Sequence, residues 1–177
     1  MSARDRQSSP ATAEILEALE SGSEHRFTGS PNPKIPAVAA GVYTVWRGAK
    51  LIYVGMSGRS QTAEDLERHR ANGREHGLRK RLHAHAQGRR SGDQFCVYVA
   101  DRLVLPTLSE DSISAIASGT CSMDDLVKQY VQANLTYRFI TVRDHREATH
   151  LERQVQQGRL RAGAPLLNPA KKKPARG

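Results

Sequence analysis

A chain of 177 residues, 38% of them hydrophobic, can fill the modest core of one compact domain. A formal net charge of +9 favours a polyanionic partner, although such a balance is also common in solvated proteins that bind nothing. No window approaches the roughly 18 apolar residues of a membrane span, and the polar start Met-Ser-Ala-Arg-Asp-Arg-Gln does not suit a signal peptide; a cytoplasmic protein without membrane contact is expected. Cys96 and Cys121 lack a CxxC partner, which argues against zinc or a disulfide and leaves both as packing residues.

In chain order, residues 1–10 read as disordered and residues 11–20 as a short helix with Ile15, Leu16 and Leu19 on one side, ending at Gly22. Residues 27–36, dense in Pro and Gly, read as an extended linker without chemistry of its own. Two apolar strands follow, 41–46 and 51–55, joined by Arg47-Gly48-Ala49-Lys50 in the pattern of a tight hairpin. Alternation puts Val42, Thr44 and Trp46 on one face and Gly41, Tyr43 and Val45 on the other. Residues 56–77 read either as a solvated loop with one helical turn or as a specificity element. From Arg68 through Arg90 the chain carries eight Arg or Lys, among them Arg70 and Arg74, against one acid, Glu75; such a run suits contact with a nucleic-acid backbone.

A helix over residues 78–87 buries Leu78, Leu82 and Ala86 at i, i+4 and i+8. Arg81 and His85 border that stripe four residues apart, so both heads can reach one phosphate; His83 points away and reads as surface. Residues 93–100 read as a third strand with 103–106 as its exit. Helices are expected over 109–117 and over 122–134, the latter with Ser122 as N-cap, Asp125 at N3 and Leu126, Tyr130 and Val131 inward. Residues 136–142 alternate as a last strand. Asp144 with Glu147 signals the start of a final helix that turns Ala148, Leu151 and Val155 inward, sets Glu152 at the margin of that stripe and stops near Gly158. Asn168 follows Pro165 and an apolar pair, where it can also simply cap or turn the chain. The basic stretch 171–176 reads as disordered, adding at most nonspecific affinity for DNA. His69, His76, His145 and His150 show no metal-ligand spacing.

Gly41-Val42-Tyr43 and Tyr53-Val54-Gly55, with their tyrosines ten residues apart on paired strands, resemble the two motif tripeptides of the GIY-YIG nuclease family. Arg81 with His85 on a helix, Glu152 inside a later helix, and Asn168 behind Pro165-Leu166-Leu167 extend the resemblance in order from about residue 38 to residue 168. It implies a small α+β fold, a mostly antiparallel sheet that begins with a β-hairpin and is flanked by helices. The implied division is an N-terminal extension over 1–36, a nuclease domain over 37–169 with insertions at 56–77 and 106–135, and a basic tail over 170–177. The implied activity is divalent-metal-dependent hydrolysis of phosphodiester bonds in DNA, in a restriction, mobile-element or repair role, by a monomer or homodimer.

Such hydrolysis needs a nucleophilic water, compensation of transition-state charge and help for the departing oxygen. By the resemblance Glu152 holds one Mg²⁺ or Mn²⁺, hard ions that prefer oxygen, and Arg81 neutralises a nonbridging oxygen with its planar fork. Tyr43 is then the general base and Tyr53 orients water or phosphate, while Gly55 and Asn168 contact substrate; Arg68, Arg70 and Arg74 are substrate contacts from the basic run, on the reading of residues 56–77 as a specificity element. His85 is the rival base, because tyrosine ordinarily titrates near 10 and histidine near neutrality. Many members carry a lysine directly after the second motif glycine, where it helps depress the tyrosine pKa. Met56 stands there in this chain, leaving Lys50, Arg59 or the metal to activate the base. Taken singly, a strand tyrosine is usually a packing residue and a helix glutamate a solvated one; only the ordered set points to a nuclease. The alternatives are a catalytically inactive nucleic-acid-binding module of the same fold and a small interaction protein with an incidental basic surface.

Overall fold

The computed structural model describes residues 10–58 and 60–168; the expectations for residues 1–9, Arg59 and the basic tail lie outside them. In chain order the elements are α1 (Pro10–Ser21), β1 (His25–Arg26), β2 (Val38–Arg47), β3 (Lys50–Ser57), α2 (Ala63–Ala71), β4 (His76–Gly77), α3 (Leu78–Ala86) and α4 (Gln94–Val99). A π turn (Ala100–Val104) and a 3-10 turn (Leu105–Thr107) lead to α5 (Glu110–Ala117), α6 (Met123–Asn134), β5 (Thr136–Val142) and α7 (His145–Gln156). The strands run β1-β5-β2-β3 with antiparallel neighbours, and β4 adds a short parallel pairing to β2. This is the expected α+β class, a mostly antiparallel sheet flanked by helices.

Strand β2 is buried along its whole length except Arg47, because both faces of the sheet are covered. Val42 and Trp46 join Leu16 and Leu19 of α1 and Ala148, Leu151 and Val155 of α7 in one core. Tyr43 and Val45 join Leu78 and Leu82 of α3, Phe95, Cys96 and Val99 of α4, and Val127 and Val131 of α6 in the other. Alternation along the strand therefore sorts its side chains as expected. The hairpin is longer than the apolar runs alone, and an irregularity in register falls between Val45 and Trp46.

The expected third strand is instead helical. Asp93 caps α4 by accepting from the Phe95 and Cys96 amides at 3.1 and 3.5 Å, and Phe95, Cys96, Val99 and Leu103 are buried at helical spacing. A short β-branched and aromatic run is ambiguous by periodicity, and the cap decides it here. The helices over 110–117 and 123–134 form with Ser109 and Ser122 as N-caps, and Val127 and Val131 are the buried residues of α6, with Leu126 and Tyr130 packed at the rim of the core.

The segment before β2 is built into the domain. The pair His25–Arg26 extends the sheet beside β5, and Phe27 and Ile35 are both 1% exposed within a core. His83, expected at the surface, is partly buried and meets the Ser30 hydroxyl at 3.0 Å. Pro and Gly mark the turns of this segment without telling whether the apolar residues between them are buried. The connection after β3 is likewise ordered: Thr62 and Asp65 form a capping box at the start of α2, and Leu66 packs against Val38 and Ala40. Strand β3 lies at the sheet's edge, and the chain returns to cover it. The Leu166 and Leu167 amides donate to the carbonyls of Leu51 and Ile52 at 3.3 and 2.8 Å, and the Asn168 amide both donates to and accepts from the Val54 backbone at 2.8 Å. Among the described residues no helix is long and apolar enough to cross a membrane.

One buried hydroxyl ties α1 to the sheet. Thr44 donates to the Leu19 carbonyl at 2.6 Å and accepts from the Trp46 indole at 2.8 Å. Thr44→Val keeps the shape and leaves both partners unsatisfied, so it is expected to lower stability by about 2–4 kcal/mol in urea denaturation. A loss under about 0.5 kcal/mol would show that this hydroxyl does not hold α1 in place.

Candidate active site

Tyr43 and Tyr53 lie on adjacent strands with ring centroids 6.4 Å apart. Gly55 sits opposite Tyr43 in the register, and a Cβ there would stand 2.3 Å from the Tyr43 hydroxyl. The ring can cross the neighbouring strand only because that residue is glycine. Arg81 and His85 project from α3 one turn apart, and Glu152 comes from α7 on the other layer. These five side chains line one cavity of about 270 Å³, with Met56, Asp93 and Phe95 in its wall. Arg81 is exposed and Glu152 partly so.

Behind the cavity runs a chain of short hydrogen bonds. The Tyr43 hydroxyl meets His85 Nε2 at 2.6 Å, and His85 Nδ1 meets Asp93 Oδ2 at 2.5 Å. A carboxylate can only accept, so His85 donates from Nδ1, and its Nε2 is left to accept the Tyr43 proton. All three are buried, Tyr43 at 2%, His85 at 1% and Asp93 at 6% exposure. Burial works against ionisation of Asp93, but the hydrogen bonds from His85 and from the Cys96 amide hold its carboxyl below the ordinary range. Burial, and behind it Tyr53, pushes the Tyr43 phenol well above its ordinary value, with Arg81 opposing. Burial and then Glu152 push Tyr53 up to about 12. At neutral pH both phenols therefore carry their protons and Asp93 does not. Sequence reasoning missed Asp93, having placed it at the start of a strand; the available signal was an N-cap residue ahead of apolar residues that also fit a helix.

His85, Asp93 and Cys96 bring ligand-type atoms within 4.8 Å of one another, but their bonding is already spoken for. Nδ1 of His85 is held by Asp93, and the Cys96 thiol, pushed up by burial and then by Asp93, donates to the His85 carbonyl at 3.7 Å. This is a hydrogen-bond network rather than a set of free donors. Both oxygens of Asp93 are engaged with His85 and the start of α4, while Glu152 places a partly exposed carboxylate, a hard-cation ligand type, in the cavity wall.

The residues expected to touch substrate are not in the cavity wall. Gly55 acts by making room for Tyr43, and Asn168 is committed to Val54. Arg68 pairs with Asp65, and Arg70 with Glu67 and, at 3.4 Å, the Val38 carbonyl; Arg74 is exposed just beyond α2. Lys50 stands at the hairpin tip, in a separate hollow with Ala162 and Leu166. No family model, curated protein or solved structure matches this chain, so its own geometry must carry the reading.

The Asp93 shift has a consequence for acid stability. A carboxyl whose folded pKa is depressed contributes stability that is fully present above its unfolded value of about 3.9 and lost as pH falls through the folded value. The difference in denaturation midpoint between wild type and Asp93→Asn is expected to be constant above about pH 5 and to shrink as acid is added below about pH 4. A difference that stays flat through acid would mean that Asp93 is not ionised in the fold.

Proposed function

We propose that this protein is a divalent-metal-dependent endonuclease that hydrolyses phosphodiester bonds in DNA by the chemistry of the GIY-YIG nucleases. The observation that carries the reading is the convergence of Tyr43, Tyr53, Arg81, His85 and Glu152, drawn from β2, β3, α3 and α7, on one cavity. The net charge of +9 suits the polyanionic substrate.

Glu152 would hold Mg²⁺ or Mn²⁺, and the ion when bound supplies Lewis-acid polarisation of the phosphate and charge stabilisation for the departing oxygen. Arg81 reaches a nonbridging phosphate oxygen with its fork and neutralises the charge that grows there. Tyr53, protonated at neutral pH, donates to the attacking water or to a phosphate oxygen. The water gives its proton to the Tyr43 oxygen while the Tyr43 proton passes to His85 Nε2. Asp93 holds the ring in the tautomer that can accept, and stabilises the imidazolium that forms. Tyr43 and His85 thus act in series rather than as rival bases. The relay also takes the place of a lysine at position 56: the proton is removed by a neighbour, so no adjacent cation need depress the phenol.

Glu152→Ala is expected to abolish nicking of plasmid DNA while affinity for DNA stays within a few-fold, because a lost metal ligand affects the transition state more than backbone contacts. Chelation with EDTA should silence the wild type, and Mg²⁺ or Mn²⁺ should restore it. Equal loss of binding and cleavage would point to misfolding, and a nicking-competent Glu152→Ala would overturn the role. Tyr43→Phe and His85→Ala are each expected to slow cleavage by about 10²–10⁴-fold. The double variant should be no slower than the slower single variant, since the two groups handle one proton. Multiplying losses, measured on variants whose melting shows them folded, would separate the two and break the relay.

A further inference from the structure

Beside the candidate active site lies a second hollow of about 320 Å³, lined by Ser57, Gly58, His76, Gly77, Lys80 and Arg81 among others. Arg81 lines both cavities, so the two adjoin. The second is built over the N-terminus of α3, a helix of nine residues whose N-cap is Gly77 and which has no side-chain cap hydrogen bond. The missing cap is imposed by the fold. Gly77 has φ +90°, and a Cβ there would lie 2.1 Å from the Ala39 carbonyl oxygen, which bars the Ser, Thr, Asp or Asn that would otherwise satisfy the first-turn amides. No side chain caps the positive end of the helix, and the exposed Lys80 and Arg81 stand beside it.

Independent of that helix end, the hollow has polar groups with nothing to bond. Ser57 is 4% exposed, and its hydroxyl oxygen is buried without a hydrogen-bond partner among the described residues. His76 receives the Gln61 amide at Nε2, 3.1 Å away, which leaves the proton on Nδ1, another buried atom with no partner among the described residues. Burial, then His69 and Lys80, lowers the His76 pKa, as in a positively charged surrounding. No carboxylate is among the residues that line the hollow. Two cations, an uncapped helix N-terminus and spare hydroxyl and imidazole donors are the donor set for a tetrahedral oxyanion.

We propose that this hollow binds a phosphate group, the one that adjoins the scissile phosphate along the same DNA strand, with Arg81 standing between the two. The assignment to a strand rests on the nuclease reading; the anion site itself does not. Its work is register: with one phosphate fixed over the start of α3, its neighbour is set before Tyr53 and Glu152.

The test has two arms. In the first, isotope-labelled wild type is titrated with inorganic phosphate. The amide resonances of Ser57 and of residues 77–80 should shift saturably, and Lys80→Gln and Ser57→Ala should each weaken that binding at least several-fold with the rest of the spectrum unchanged. Shifts confined to Tyr53, Arg81 and Glu152, or binding undiminished in both variants, would overturn the site. In the second, Lys80→Gln should lower the slope of log DNA affinity against log salt by about one. Phosphate binding in the hollow with an unchanged slope would overturn the assignment to the strand. Wild type that shifts with phosphate yet does not bind DNA would fail the nuclease reading instead, so the two failures are told apart.

Discussion

Burial of β2 on both faces is the constraint from which the rest follows. A strand whose alternate residues serve two cores has no solvent side on which to place a polar group, and Tyr43 carries its hydroxyl into the interior. An unpaired phenol there costs stability, and His85 supplies the partner. A buried imidazole needs a partner in turn, and Asp93 supplies it from the start of α4. Asp93 then divides its oxygens between the histidine and the α4 amides. Each step satisfies the group before it, so the chain from phenol to carboxylate is a requirement of packing before it is anything catalytic.

The cavity opens where this layered arrangement stops. Strand β3 is the edge of the sheet, and both flanking layers can reach around it: α3 sends Arg81 and His85 from one side and α7 sends Glu152 from the other. An edge strand exposes unpaired amides and carbonyls. Here residues 166–168 occupy them, and Asn168 takes both backbone groups of Val54, the residue between Tyr53 and Gly55. Asn168 thereby stiffens the strand that carries Tyr53 without facing the cavity. At the opposite end of the sheet β1 pairs with β5, which is why residues before β2 belong to the domain.

What the sequence made legible tracks the strength of local signals. The hairpin could be read because alternation and a glycine turn agree, and α6 and α7 because Ser122 and Asp144 stand before apolar stripes of helical spacing. Both tyrosines, Arg81, His85 and Glu152 could be picked out only by their resemblance, taken in order, to the motifs of the GIY-YIG nucleases. Asp93 could not, because its role depends on whether 94–99 is a strand or a helix, and Phe-Cys-Val-Tyr-Val fits either. The helix α2 was hidden by its polar composition: Leu66 alone is buried in it, too little for a stripe. Phe27 and Ile35 were hidden by the turn residues around them. The hollow over the start of α3 could not be foreseen, since it depends on contacts between residues far apart in the chain.

The charge distribution around α3 joins the two cavities into one electrostatic surface. Lys80 and Arg81 are consecutive, and successive residues on a helix point about 100° apart; both line the hollow over the start of α3, and Arg81 also stands in the wall of the Tyr43 cavity. Arg81 is the cation in the wall of the Tyr43 cavity, where Met56 adds apolar surface and no charge. A cation at position 56 would favour a phenolate at Tyr43, but on the proposed chemistry it would also crowd the phosphate assigned to Arg81. With methionine there, Arg81 is the cation among the described residues that line that cavity, and on the proposed chemistry removal of the Tyr43 proton is left to His85 and Asp93 behind it. On the proposed chemistry, substrate charge and water proton therefore leave the reacting centre on opposite sides, the first toward Arg81 and the open end of α3, the second into the core.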